Sequence, residues 1–357
     1  MVTNTFLLNK YSGKKVLITG HTGFKGSWLS LMLTELGAKI VGYALSPVHS
    51  YDHFNLINIS EKIDDIRGDI RDYNKLSEVF DKYKPEIVFH LAAQSLVLES
   101  YQNPRETFDI NIQGTVNILE CCRNSESVTA CIIITSDKCY ENNEWLWGYR
   151  EIDRLGGKDP YSASKACSEM VSYSYLQSFN KMNVASVRAG NVIGGGDWAE
   201  NRIIPDCIKA LAADKPIIIR SPLSVRPWQH VLDALYAYLL LAINLVEDKE
   251  TYQGSWNVGP DFDSMKTVKN LVEKVISYWC RGELKIEQNE KLGKEAKNLF
   301  LDTTKIKTIL KWKPVWNFDE SVLHTVDWYK KYYRGENMSE VSINQIHKFF
   351  ASIQYEN

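Results

Sequence analysis

Val16-Leu17-Ile18-Thr19-Gly20-His21-Thr22-Gly23-Phe24-Lys25-Gly26 runs from a short β-branched strand into a turn with glycine at every third position. Trp28, Leu29, Leu31, Met32, Leu33 and Leu36 follow at helical spacing until Gly37, and Lys39 to Leu45 is another apolar run. Strand, glycine turn, helix and strand form a βαβ unit. Glycine keeps such a turn tight and lets backbone N–H groups approach a pyrophosphate, whose charge the positive end of the helix favours. The stretch therefore predicts a dinucleotide site at Gly20, Gly23 and Gly26, with Phe24 opening the helix. His21 and Lys25 lie inside the turn, where they reach either the phosphates or solvent.

The alternation continues outward. A strand is expected over Ile63 to Asp69, a helix around Tyr73 to Tyr83, a strand over Glu86 to Ala93, a helix from about Pro104 to Arg123 and a strand over Thr129 to Ser136. Runs such as Ile132-Ile133-Ile134 lack a polar alternate face, as strands covered on both sides do. The expected fold is α/β, a doubly wound, Rossmann-like parallel sheet with a smaller C-terminal substrate-binding lobe. After the helix Tyr161 to Ser178 and the strand Asn183 to Arg188 the regularity ends. Gly194-Gly195-Gly196, Arg220 to Trp228 and the isolated, strand-like Ser255 to Val258 read as loops and small elements of the lobe. Residues 1–190 are assigned to the dinucleotide-binding domain and 191–357 mainly to the lobe, with later segments free to return across that boundary.

At 357 residues, 44% hydrophobic and 24% charged, the chain can bury a large core. A net charge of -2 argues against nucleic acid as a partner. The seven cysteines lack zinc-like spacing and read as buried thiols of a reducing compartment; no metal is expected. No run approaches the roughly 20 apolar residues of a membrane helix, so a cytoplasmic protein without a membrane partner is expected.

The second-strand end, about 20 residues past the glycines, is where an acid would hold the adenosine ribose of NAD. Here it reads Ala44-Leu45-Ser46, so NAD and NADP both remain open and Ser46 marks the position. Asp69-Ile70, closing the third strand, would meet the adenine or cap the next helix.

Tyr161 and Lys165 lie one helical turn apart. A free tyrosine ionises near pH 10, and a lysine on the same face would lower that value. Ser136 ends a sheet strand upstream, where its hydroxyl could share a substrate proton with Tyr161. Asp137 and Lys138 follow directly, placing a hydroxyl, a carboxyl and an amine at the end where ligands bind such sheets.

These motifs, with His90-Leu91-Ala92-Ala93-Gln94, Asn111-Ile112-Gln113-Gly114-Thr115, Leu301 to Lys305 and Trp312-Lys313-Pro314, resemble the extended short-chain dehydrogenase/reductases that act on nucleotide sugars. The likeness spans about Lys14 to Tyr329. Within that family, the glycine turn, Ser-Asp-Lys and Arg188 to Trp198 are similar to the CDP-glucose 4,6-dehydratase branch.

The resemblance implies NAD as cofactor, CDP-glucose as substrate and a lyase of deoxysugar and surface-polysaccharide synthesis. Leu91, Ala92 and Ala93 would line the cofactor. Tyr161, with Lys165, would take the C4 hydroxyl proton while hydride leaves C4, and Ser136 would hold that oxygen. Asp137 would protonate the departing C6 hydroxyl. Lys138 stands where related dehydratases carry Glu; it would take the C5 proton, which needs a pKa well below about 10.4, or stay charged and stabilise the enolate. Gln94 and Ser95 would meet the sugar, and Asn191, Arg202 and Arg226 the nucleotide. The family also implies a homodimer through the helices Pro104 to Arg123 and Tyr161 to Phe179. A 4-epimerase or reductase of the same family is the enzymatic alternative.

Overall fold

A computed structural model describes residues 5–287 and 298–353. Six strands in chain order, β1 (Lys15–Thr19), β2 (Lys39–Ala44), β3 (Asp64–Arg67), β4 (Ile87–His90), β5 (Ala130–Ile134) and β6 (Val184–Ala189), lie parallel in one sheet. Its order is β3-β2-β1-β4-β5-β6, with the strand Gly254–Val258 beyond β6. The order reverses between β1 and β4, and the crevice that opens there is where open parallel sheets bind ligands.

The pairing of the strand Gly254–Val258 departs from the sequence reading, which left it isolated. Ser255 to Val258 belongs to the main sheet, paired in parallel with β6 from Gly254↔Ala185 to Val258↔Ala189. A short apolar run carries no local sign of a partner so far upstream. The helix Val231–Glu247 also returns to the sheet, packing on β5 and β6. It is apolar nearly all round and correspondingly buried.

Apolar clusters cover both faces of the sheet, one centred on Trp28, Leu29 and the Val231–Glu247 helix, the other on Leu17, Val88, Ile118 and Ile133. The expected helix from Pro104 to Arg123 forms, but with a π turn at Asp109–Gln113 between Pro104–Phe108 and Gly114–Asn124. That extra residue turns Asn111 inward, where its Nδ2 reaches Ser164 Oγ at 2.8 Å and the carbonyl of Gln94 at 3.0 Å.

The remainder of the lobe contains paired short strands, including Val225–Pro227 antiparallel to Met265–Thr267 within the stretch expected to be a loop. The C-terminal helix Met338–Ser352 returns to the helix Phe24–Glu35. Between them His53 stacks on Trp28 at 4.4 Å and meets Ser27 and Ser342 through its two ring nitrogens. Of the cysteines, Cys280 is exposed, unlike the buried thiols expected. Among the described residues no helix is long and apolar enough to cross a membrane.

Candidate active site

The glycine turn spans the crevice between β1 and β4. Gly20 has φ +73°, and a Cβ there would stand 2.7 Å from the backbone nitrogen of Ala92. A Cβ at Gly26 would stand 2.1 Å from the Gly20 carbonyl oxygen. Only glycine permits either approach. Gly23 begins the helix Phe24–Glu35 with no side chain capping it, so the first N–H groups are left for another acceptor. Leu91, Ala92 and Ala93 follow β4 half-buried on the opposite wall, and Ser46 is exposed beyond β2. These features fit a dinucleotide pyrophosphate.

One residue of this region differs from expectation. The His21 imidazole points neither to phosphates nor to solvent: it is fully buried over β2, with Nε2 2.8 Å from Asp65 Oδ1. A Cβ at Gly42 would come within 2.3 Å of the ring, so glycine in β2 makes room for it. Burial lowers its pKa, while Asp65 pulls the other way. Asp69 pairs with Arg71, accepting from its guanidinium at 2.6 Å and from its backbone N–H at 2.9 Å, which commits the carboxylate locally. Lys25, by contrast, is turned toward the site, and burial together with Arg202 lowers its amine to about 8.

Ser136, Asp137 and Lys138 leave the end of β5 in a single 3-10 turn. Ser136 Oγ donates to Asp137 Oδ1 at 3.0 Å and accepts the backbone N–H of Lys138 at 3.2 Å. Asp137 is 4% exposed, and its Oδ2 has no hydrogen-bond partner among the described residues. Burial raises its pKa, opposed by Lys138, Ser136 and Arg226. A proton is therefore retained to higher pH than on an ordinary carboxyl.

Tyr161 and Lys165 sit in the first turns of the helix Pro160–Ser178, which Asp159 caps through the backbone N–H of Ser162. Burial pushes the Tyr161 phenol up to about 12, while a hydrogen bond with Ser136 and the charge of Arg202 draw it down. Lys165 Nζ donates to the carbonyl of Ile134 at 3.2 Å, and burial lowers it to about 8. Arg202, far along the sequence from Tyr161, is a cation that acts on the phenol.

Arg202 precedes the helix Ile203–Ala212, pairs with buried Asp197 at 3.0 Å and donates to Ser95 Oγ at 3.2 Å. The structure brings these two expected substrate residues together. Arg226 is 7% exposed on its short strand and donates to the carbonyl of Val225 at 2.8 Å. Asn191 follows β6 beside Gly190, which packs on Pro227 and Asp137. Gln94 donates to Leu96 and to Thr107 of the helix Pro104–Phe108 and accepts from Leu96 at 2.5 Å. Asn111, Asp197, Glu169 and Arg188 went without assigned roles in the sequence. Glu169 had a signal: it continues the Tyr161, Lys165 spacing by another turn.

Comparison with known proteins gives the family. The profile of the GDP-mannose 4,6-dehydratase family matches residues 17–325. The chain belongs to that family. It is 43% identical over 352 residues to the CDP-glucose 4,6-dehydratase of Salmonella typhimurium, covering 96% of this chain and 98% of that protein. A CDP-paratose 2-epimerase of Salmonella typhi is 25% identical over 88% of this chain and 98% of its own length. Among solved structures, a dTDP-glucose 4,6-dehydratase from Bacillus anthracis in complex with NAD superposes with a TM-score of 0.76 at 23% identity, over 92% of this chain and 100% of that one. The last likeness is one of fold.

Proposed function

We propose that this chain is an NAD-dependent lyase that dehydrates CDP-glucose to CDP-4-dehydro-6-deoxyglucose. The observation that carries the reading is Asp137: a buried, proton-retaining carboxyl adjoins Ser136 and Tyr161, in a chain 43% identical to a CDP-glucose 4,6-dehydratase. A 4-epimerase needs the hydroxyl, phenol and lysine but has no use for an acid directed at C6.

Gly20, Gly23 and Gly26 with the N–H groups that follow, Ala92 and Lys165 would hold NAD, which when bound supplies the hydride acceptor for C4 and returns that hydride to C6. Tyr161 removes the C4 hydroxyl proton and Ser136 orients the same oxygen. The C4 ketone that results acidifies C5–H. Asp137 gives its proton to the C6 oxygen, which leaves as water. Lys138 removes the C5 proton and gives it back to C5 once hydride has reached C6, or holds the enolate oxygen by charge while solvent takes and returns that proton. Arg202, Arg226 and Asn191 hold the nucleotide diphosphate, with Ser95 at the sugar. Water is lost while the redox state of the cofactor is restored.

Two copies would associate through the helices of Pro104 to Arg123 and Tyr161 to Phe179, the second of which exposes Met170 (62%) and Tyr173 (65%). Sedimentation at several concentrations reads this directly, and a monomer at all of them would remove it.

The function is tested by incubation with CDP-glucose and catalytic NAD. A 4-keto product without net NADH is expected; net NADH or a galactose-configured product would overturn the reading. Parallel binding of CDP, UDP, dTDP and GDP sugars tests the base.

A further inference from the structure

Behind the acid and base groups lies a second set of charges that the proposed chemistry does not use. Glu169 (2% exposed) and Arg188 (3%) form an ion pair at 2.7 Å between the Pro160–Ser178 helix and β6. Buried charges on a helix and in a sheet strand are costly unless fully bonded. Here nearly every valence is used. Glu169 Oε1 accepts from Thr135 Oγ1, and Oε2 accepts from Ser186 Oγ at 2.7 Å, Ser255 Oγ at 3.1 Å and Arg188. Arg188 Nη1 donates to Tyr140 Oη at 2.7 Å and to the carbonyl of Glu151 at 3.0 Å. Tyr140 in turn donates to Asn257 Oδ1 at 2.7 Å.

The partners have a pattern. Thr135 immediately precedes Ser136, and Tyr140 closes the turn that carries Asp137 and Lys138. Glu169 lies one helical turn beyond Lys165, itself one turn beyond Tyr161. The pair therefore grips the acid-bearing turn at both ends and the base-bearing helix at a fixed point. Gly254–Val258 contributes Ser255 and Asn257, which gives the last sheet strand a purpose at this end of the sheet.

We propose that Glu169 and Arg188 are positioning residues, which lock the Tyr161–Lys165 helix in register with the Ser136–Lys138 turn so that proton removal at C4 and protonation at C6 act on one sugar pose. The inference rests on the dehydratase reading for its turnover arm. It also has an electrostatic consequence. Lys165 is buried against a carboxylate one turn away, which favours its charged form. Also in electrostatic range of Lys165 are Lys25 of the glycine turn, His90 of β4 and Cys139 after β5; Tyr161 shares its helix, and Arg188 lies behind Glu169.

The test compares Glu169→Gln, Arg188→Met, the double variant and Glu169→Asp in full-length protein. Two readouts are used: kcat against the Kd for CDP, and NMR titration of isotope-labelled lysine, with Lys165 assigned by its loss in Lys165→Met. Glu169→Gln should lower kcat on the order of 100-fold, as misplacement by about 1 Å does, while CDP affinity stays within about threefold. Its Lys165 titration should move to lower pH, that of Arg188→Met to higher pH, and that of the double variant back toward wild type. Glu169→Asp should recover part of kcat. A folded Glu169→Gln with unchanged kcat and unchanged Lys165 titration overturns the proposal. If a single variant does not fold, unchanged kcat in the folded double variant does so. The titration needs no turnover, so wild-type protein inert toward CDP-glucose would count against the substrate and leave this arm to decide.

Discussion

Arg202 donates to Ser95 Oγ at 3.2 Å, joining the loop that follows β4 to the start of the helix Ile203–Ala212 across the mouth of the site. The same guanidinium is anchored by Asp197 at 3.0 Å and draws down the Tyr161 phenol. Removing it should therefore do more than weaken nucleotide binding. Tyr161 works deprotonated, so its step accelerates as pH rises through the phenol's pKa. Without the cation that pKa rises, and the ascending limb of kcat/KM should move to higher pH in Arg202→Met. CDP affinity should also fall about 10- to 100-fold, the loss of a charge-assisted contact. Asp197→Asn should show a smaller version of both changes. Wild-type pH dependence in Arg202→Met would leave Arg202 a binding residue alone.

Asp137→Asn separates oxidation from elimination. The amide keeps the shape of the turn but has no proton to give, so C4 oxidation should persist while water loss slows by about 10²- to 10⁴-fold. Reduced nicotinamide should then accumulate after mixing with CDP-glucose, visible by its absorbance. The acid acts protonated, so in wild type its step declines as pH rises through the folded pKa, which burial sets above the ordinary carboxyl value. That decline should vanish from the residual elimination of the variant. Unchanged dehydration would take the acid role away from Asp137.

Legibility of the sequence followed the range of the forces involved. The glycine turn and the first six strands could be read because turn chemistry and apolar runs are local, and Ser136, Asp137, Tyr161 and Lys165 could be read because strand ends and helical spacing are local too. What could not be read depends on contacts between distant segments. His21 is drawn under β2 by Asp65 and the space over Gly42. Ser255 to Val258 pairs with β6, a partner far upstream in the chain. Arg202 acts on Tyr161 from a segment that follows β6, a contact that no local spacing announces.

Gly42→Ala probes the first of these contacts. The new methyl would stand 2.3 Å from the His21 ring, which cannot yield without giving up Asp65. Overpacking of this kind costs about 1–3 kcal/mol, so Tm should fall by several degrees. Because His21 lies within the glycine turn, NAD affinity should change as well, in either direction, while CDP affinity is kept. Gly26→Ala meets backbone at 2.1 Å and should abolish NAD binding outright. Calorimetric titration with each nucleotide reads both. A Gly42→Ala variant with wild-type Tm would mean that the imidazole has another place to go.

Asp233 gives a stability prediction remote from the chemistry. It lies fully buried at the start of the Val231–Glu247 helix, where Oδ1 accepts the backbone N–H of Val315 at 2.6 Å and Oδ2 has no partner among the described residues. Burial raises its pKa to about 8. The folded protein thus keeps a proton that the unfolded chain releases near pH 4. Between those values the unfolded state binds fewer protons, so stability falls as pH rises, by at most about 1.4 kcal/mol per pH unit from this group, and levels off above about 8. Asp233→Asn keeps the acceptor for Val315 and carries no titrating proton. Its Tm should lose this share of the pH dependence and exceed that of wild type most clearly above pH 8, as read by thermal denaturation across the range. Parallel Tm curves for the two proteins from pH 5 to 9 would show that Asp233 is ionised in the folded chain.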